Sequence, residues 1–344
     1  VRCGIFLITG RFGEQCDAAA LRRSVEAVRA AERAGFDDAW IAEHHFMPYG
    51  VCPSAATFAA HALGVTSTIE IGTAVSVLST VHPLALAEQW AMLDTLGEGR
   101  FRLGVGRGGP WQDLEVFGTG LDRYEHGFEE GLDLLLRGVT AERVGAHGPH
   151  FAFREVPMVP RPDRRLPPPV VACGSAGSDA VRLAADRGLP LLLGMHAGDE
   201  EKAATLRAYL QAGGDPRAAH VSTVLCQVAD DRDTALGQVR ASLPGWLAAG
   251  LGAHVTVDGR ARSKRDPHAY TDLLCRIHPV GSPAQCVETL RRGAQRTGVS
   301  HVIMMVEATG SLDGTLANIE RIGAEVLPAL RGNPGAGQTP AGTP

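Results

Sequence analysis

The sequence predicts an α/β protein, a closed (β/α)8 TIM barrel with insertions after strand 4 and strand 7. Three observations carry this: short apolar runs alternate with amphipathic stretches, eight strand-like runs can be placed, and 344 residues suffice for one such barrel. Residues 1–331 are expected to form this single domain. Residues 332–344, rich in Gly, Pro and Thr, are expected to be a disordered tail.

The first strand is placed at Cys3 to Thr9, a short apolar run suited to burial on both faces. A helix follows over Asp17 to Phe36. Leu21, Val25, Val28 and Ala31 recur there at helical spacing, and Arg22, Arg23, Glu26, Arg29 and Arg33 take the other face. Asp17 is expected to cap its start and Gly35 to end it. The second strand, Asp38 to Glu43, completes a βαβ unit.

The alternation continues with a helix near Ser54 to Val65, a strand Ile69 to Leu78, a helix opened by Pro83 and a strand Arg100 to Gly106. A helix near Asp122 to Leu136 precedes a proline-rich excursion, Gly145 to Pro169, expected to be a hairpin and loop. Strands resume at Val170 to Cys173, Leu189 to Gly194, Val221 to Val228 and His301 to Glu307. Between Leu243 and Pro279 the pattern breaks into Gly, Pro and charge, longer than ordinary connections. Within it, residues 257–270, with Lys264 in a polar run and Trp246 shortly upstream, are expected to act as a mobile lid.

A formal charge of −5 with interspersed signs offers no basic field for nucleic acid or a membrane surface, and favours a small-molecule substrate. Seven scattered cysteines, never C-x-x-C, suggest neither a disulfide framework nor a zinc site. With no signal-like apolar segment, a soluble cytoplasmic protein is expected.

Glu43-His44-His45 ends the second strand, at the face where barrels place their chemistry. A carboxylate beside imidazoles suits proton transfer near neutral pH. Adjacent histidines on a strand point apart and no second ligand pair accompanies them, so no metal is expected. Gly104-Val105-Gly106-Arg107-Gly108-Gly109 formally matches a dinucleotide fingerprint, but Pro110-Trp111 follows where a helix should open. The better expectation is a flexible strand end that admits a flat ligand, with Arg107 available to a phosphate. Cys173-Gly174-Ser175-Ala176-Gly177-Ser178 leads into a helix, and small residues there leave N–H donors open to a phosphate. The competing nucleophile-elbow pattern lacks its first glycine. Plain turns with solvated side chains remain the alternative for both loops.

Taken together, these residues resemble the bacterial luciferase family of flavin monooxygenases, in particular its alpha chain. The likeness is carried in order by Phe6-Leu7, Gly35-Phe36-Asp37, Glu43-His44-His45-Phe46, Ile71-Gly72-Thr73-Ala74, His82-Pro83, Gly99-Arg100-Phe101-Arg102, Arg107-Gly108, Val116-Phe117-Gly118-Thr119, Arg187-Gly188-Leu189-Pro190, Pro279-Val280-Gly281 and Glu307-Ala308-Thr309-Gly310-Ser311. The resemblance implies reduced FMN and dioxygen as cofactor and co-substrate, with oxygen transferred from a flavin C4a-hydroperoxide. It implies a non-proline cis peptide at Ala74-Val75 behind the flavin ring, and cofactor contacts from Arg107, Gly108, Gly109, Ser175, Ala176, Gly177, Ser178 and Met195. His44 matches the family's catalytic histidine, with Glu43 beside it. Phe6, His45, Gly106, Trp111, Trp246 and Lys264 are expected around the substrate pocket or lid.

It further implies a separate NAD(P)H:flavin reductase and a homodimer through the helix after Pro83, where Leu86, Trp90, Leu93 and Leu96 form an apolar stripe with Glu88 near the interface. Gly106 replaces the family's reactive cysteine, Met195 an aromatic, and the glutamate of the Ser175–Ser178 loop is missing. These departures point to a substrate other than a long-chain aldehyde, such as a polyketide-type ring system of secondary metabolism. A deazaflavin F420 oxidoreductase and a non-catalytic flavin binder on the same barrel are the alternatives.

Overall fold

The computed structural model describes residues 1–253 and 265–332, with no account of side chains 251–253. Lys264 and most of the lid expected over 257–270 lie outside the described residues.

In chain order the elements are β1 (Arg2–Leu7), α1 (Asp17–Arg33), β2 (Asp38–Ile41), α2 (Ala55–Gly64), β3 (Glu70–Thr73), β4 (Ser76–Val77), α3 (Pro83–Leu96), β5 (Phe101–Arg102), β6 (Gly104–Gly106), α4 (Trp111–Val116), α5 (Gly120–Thr140), β7 (Arg143–His147), β8 (Ala152–Pro157), β9 (Val170–Cys173), α6 (Asp179–Asp186), β10 (Leu191–Leu193), α7 (Asp199–Gln211), β11 (Val221–Leu225), β12 (Gln227–Val228), α8 (Arg232–Ala253), α9 (Pro267–Ile277), β13 (Val280–Gly281), α10 (Pro283–Thr297), β14 (His301–Met305), α11 (Leu312–Arg321) and, after a π-turn, α12 (Leu327–Arg331). The main sheet runs β4-β6-β9-β10-β11-β14-β1-β2-β3-β5. β4 continues β3 and β6 continues β5, so the two ends of this order are the same pair of neighbours. Ten segments therefore make eight parallel staves, and the barrel closes.

The interior is filled by Trp40, Val170, Leu192, Val221 and Ile303, with a larger apolar layer between staves and helices. Gly72 is required beside Trp40, since a Cβ there would lie 2.5 Å from the indole. At the N-terminal end, buried Asp38 accepts from Arg2 Nε at 2.6 Å and Trp40 Nε1 at 2.8 Å, and lies 2.9 Å from His301 Nε2. Burial alone would raise its pKa, but hydrogen bonding to His301 and the charges of His301 and Arg2 outweigh it and hold it below the ordinary value.

The helix signals hold at α2, capped by Ser54, and at α3, which opens on Pro83 behind a His82 cap. The α1 cap differs from expectation. Cys16 occupies that position without a side-chain bond, and Asp17 is the first helical residue, paired with Arg11 at 3.1 Å. Gly35 follows the helix at φ +80°, as its left-handed position requires.

The insertion after the fourth stave carries the antiparallel hairpin β7–β8. Within the segment expected to be irregular from Leu243, residues 243–253 and 267–277 are helical. α8 passes through Pro244 and α9 follows, because Leu243, Trp246 and Leu247 bury at i, i+3, i+4 spacing and this outweighs the donor lost at proline. α4 likewise opens directly after Pro110, where no helix was expected.

On α3, Leu86, Trp90 and Leu93 are buried within the chain, so most of the stripe covers the barrel, while Glu88, Met92 and Leu96 face outward. Among the described residues no helix is long and apolar enough to cross a membrane.

Candidate functional site

The C-terminal ends of the staves form a mouth whose floor is Phe6, Ala74, Val75 and Ala172, half-buried above the interior core. The Ala74–Val75 peptide is cis. Gly106, on the next stave, packs against this floor, and a Cβ added there would stand 2.6 Å from Val75 Cγ2. The mouth therefore has a flat apolar base.

One wall follows β2. Glu43 does not stand free for proton transfer. Its Oε2 accepts from Ala55 N and its Oε1 from Val77 N, both at 2.9 Å, tying the second stave to α2 and to β4. His44 sits edge-on to Tyr49 at 5.0 Å, and Gly50 leaves it room, since a Cβ there would lie 2.5 Å from His44 Nδ1. Tyr49 stacks on Trp246 at 4.4 Å, and Trp246 on Phe12 at 5.3 Å, with Trp246 Nε1 donating to Tyr49 O at 2.9 Å. Trp246, expected in the pocket or lid, is a buried support behind His44.

His45 is buried, with Nε2 3.6 Å from Glu43 Oε1 and its ring edge-on to Phe117 at 4.9 Å. Phe46 and Phe117, their rings 5.8 Å apart, are exposed beside it, and Trp111 is exposed at the start of α4.

The fourth and fifth staves are neighbours and carry the two loops expected to hold a phosphate. Arg107 is exposed, with its guanidinium 4.4 Å over the Tyr124 ring. Gly108 has φ +79° and abuts Val77, while Gly109 lies beside the Tyr124 hydroxyl. On the other loop Ser175 and Gly177 are exposed and Ala176 is half-buried. Nothing stands within 4 Å of a Cβ built on Gly174 or Gly177. Ser178 precedes α6, yet its Oγ makes no cap bond and is buried without a hydrogen-bond partner. A buried hydroxyl left unsatisfied beside open backbone at a helix N-terminus fits a phosphate acceptor, so the donor set suits FMN.

Met195 follows β10 half-buried, and its carbonyl accepts from His278 Nε2 at 2.6 Å. Burial, reinforced by the Lys202 charge, pushes His278 down to about 3, so it is the neutral donor here.

Two features were not found from sequence. Glu307, after β14, accepts from Ile8 N at 2.7 Å and Thr9 N at 3.1 Å and pairs with buried Arg23 at 3.0 Å, locking the first and last staves at the mouth. Asp113, in the first turn of α4, is buried beside His45 and Glu43; burial pushes its carboxyl up to about 6, with the Glu43 charge adding to this and the His45 charge opposing it. Glu307 had a signal in its match to the family text, whereas Asp113 lies just after Pro110, in a stretch where the sequence signalled no helix.

The model of the luciferase-like monooxygenase family matches residues 1–301. An alkanal monooxygenase alpha chain from a Kryptophanaron alfredi symbiont is 28% identical over 96% of this chain and 99% of its own. Among solved structures, the monooxygenase RslO1 of Streptomyces bottropensis superposes with a TM-score of 0.82 at 23% identity, covering 95% of this chain and 99% of that one. The oxygenating constituent of 3,6-diketocamphane monooxygenase from Pseudomonas putida, a type II Baeyer-Villiger enzyme in complex with FMN, gives 0.75 at 18% identity over 95% and 98%.

Proposed function

The chain belongs to the luciferase-like monooxygenase family, and from that membership we propose that it is an FMNH2-dependent monooxygenase acting on a small organic substrate. The observation that carries the cofactor is the pair of loops on neighbouring staves, one with exposed Arg107, the other with open glycines and the unsatisfied Ser178 hydroxyl, above a flat apolar floor. Bound there, reduced FMN supplies the electrons that divide dioxygen between substrate and water. Arg107, Gly108, Gly109 and Ser175 to Ser178 hold the phosphate; Ala74, Val75 and Met195 border the ring. His44 moves the proton on its imidazole, braced by Tyr49 and Trp246, while Glu43 fixes the wall between them. The exposed rings of Phe46, Trp111 and Phe117, with Gly106 keeping the floor low, support a flat apolar ring of polyketide type as substrate.

A single barrel, without a dinucleotide-binding sheet among the described residues, supports delivery of reduced flavin by a separate NAD(P)H:flavin reductase. The outward face of α3, with Glu88, Met92 and Leu96, supports a homodimer.

The deciding experiment is anaerobic titration with FMNH2, reduced riboflavin and F420H2. Tight binding of FMNH2 and weaker binding of riboflavin is expected. Equal affinity for FMN and riboflavin would remove the phosphate site, and preference for F420H2 would replace the monooxygenase by hydride-transfer chemistry.

A further inference from the structure

Three neighbouring segments of the barrel run in the order β6, β9, β10, so the Gly174–Ser178 loop after β9 lies between the loop that carries Arg107 and the turn Gly194-Met195-His196 after β10. Such a loop has little to hold it. Nothing stands within 4 Å of a Cβ built on Gly174 or Gly177, so the space on those faces is open. Ser178 N donates to Ser175 O at 3.1 Å, a bond that closes the loop on itself without tying it to the barrel. Among the described residues, the hydrogen bond that joins the loop to another element comes from His196, whose Nε2 lies 3.0 Å from Gly174 O. A carbonyl only accepts, so Nε2 carries the hydrogen and donates it.

His196 is exposed, yet its ring is seated. The imidazole folds back over Gly194, where an added Cβ would lie 2.5 Å from Cε1 and 2.7 Å from Nδ1 of His196, so glycine at that position leaves the ring room to reach Gly174. The backbone beside it is anchored in turn. Met195 O accepts from Nε2 of His278, which follows α9 and is 3% exposed. Burial and the Lys202 charge keep His278 neutral, so its one ring hydrogen goes to Met195 O.

We propose that His196 is a positioning residue for the phosphate loop, a strut that fixes Gly174 against the β10 turn and is itself pinned through Met195 by His278. Loop amides that must converge on a phosphate lose less freedom on binding when they are already held, so the strut favours FMN over a flavin without the phosphate. That consequence rests on the FMN reading of the site, whereas the strut is a property of the flavin-free chain.

Two measurements test it, the first without flavin. Hydrogen–deuterium exchange across residues 174–181 should quicken about threefold or more in His196→Ala, with an unchanged melting curve. Gly194→Ala, which keeps the imidazole but pushes it off Gly174, should do the same. In anaerobic titration both variants should bind FMNH2 about three- to tenfold more weakly, the worth of one hydrogen bond, with reduced riboflavin unaffected. His196→Gln, whose amide can still donate, should recover most of the loss. Exchange equal to the parent's in His196→Ala would overturn the strut, and an equal loss of riboflavin affinity would show that His196 shapes the mouth and not the loop. If the parent binds FMN and riboflavin alike, the cofactor reading fails while the exchange rates still decide whether the strut exists.

Discussion

At the scale of single residues, the two loops proposed to hold the phosphate give separable expectations. Arg107 has no carboxylate partner among the described residues and is held only over the Tyr124 ring, so its charge is available to a ligand. Arg107→Ala should weaken FMN binding by roughly 1.5–3 kcal/mol, the worth of a charge-assisted contact, and leave riboflavin binding unchanged. A parallel loss for riboflavin in calorimetry would show that Arg107 shapes the mouth rather than binding phosphate. His44→Ala should keep flavin affinity while product formation falls by about two orders of magnitude or more, the usual contribution of a proton-transfer group. Unchanged single-turnover rates at saturating FMNH2 would take His44 out of the reaction. The two loops and the histidine could be singled out from sequence because each is a local pattern of residue types. Asp113 was not, since its character comes from burial against Glu43 and His45, some seventy positions upstream.

At the scale of elements, α8 and α9 contribute a second small core beside the mouth. Trp246, 1% exposed, joins that core to His44 through Tyr49. Trp246→Ala should cost about 3–5 kcal/mol in urea unfolding, as for large aromatic truncations in well-packed sites. A loss below 1 kcal/mol would mean that the aromatic stack carries no weight. The Pro244-Gly245 pair masked this helix in the sequence, because breaker residues are local signals and the burial that overrides them is tertiary. The staves were readable for the converse reason: each is a short apolar run buried on two faces, and Ser54 and Pro83 announce their helices directly.

At the scale of the whole molecule, the barrel's N-terminal end sets acid stability. Asp38 has a lowered folded-state pKa, so its stabilisation is present above the ordinary aspartate value of about 3.9 and is lost as pH falls through the lower folded value. Asp38→Asn should therefore depress Tm markedly at pH 7 and much less near pH 2; equal depression at both would point to lost packing instead. Assembly is tested by sedimentation. A dimer at micromolar concentration, broken by charge introduced at Leu96, is expected from the outward face of α3, and a monomeric parent would retire the dimer.

The closure itself has a consequence for synthesis. β1 pairs with β14 in register from Arg2 opposite His301, so the first stave made must wait for the last. On the ribosome, β1 can gain β2 early, but its other edge, and that of β11, stay open until some three hundred residues have emerged. The nascent chain thus spends most of its birth as an open sheet with two exposed rims. Chaperone demand should peak just before His301 leaves the exit tunnel and fall away once that strand docks.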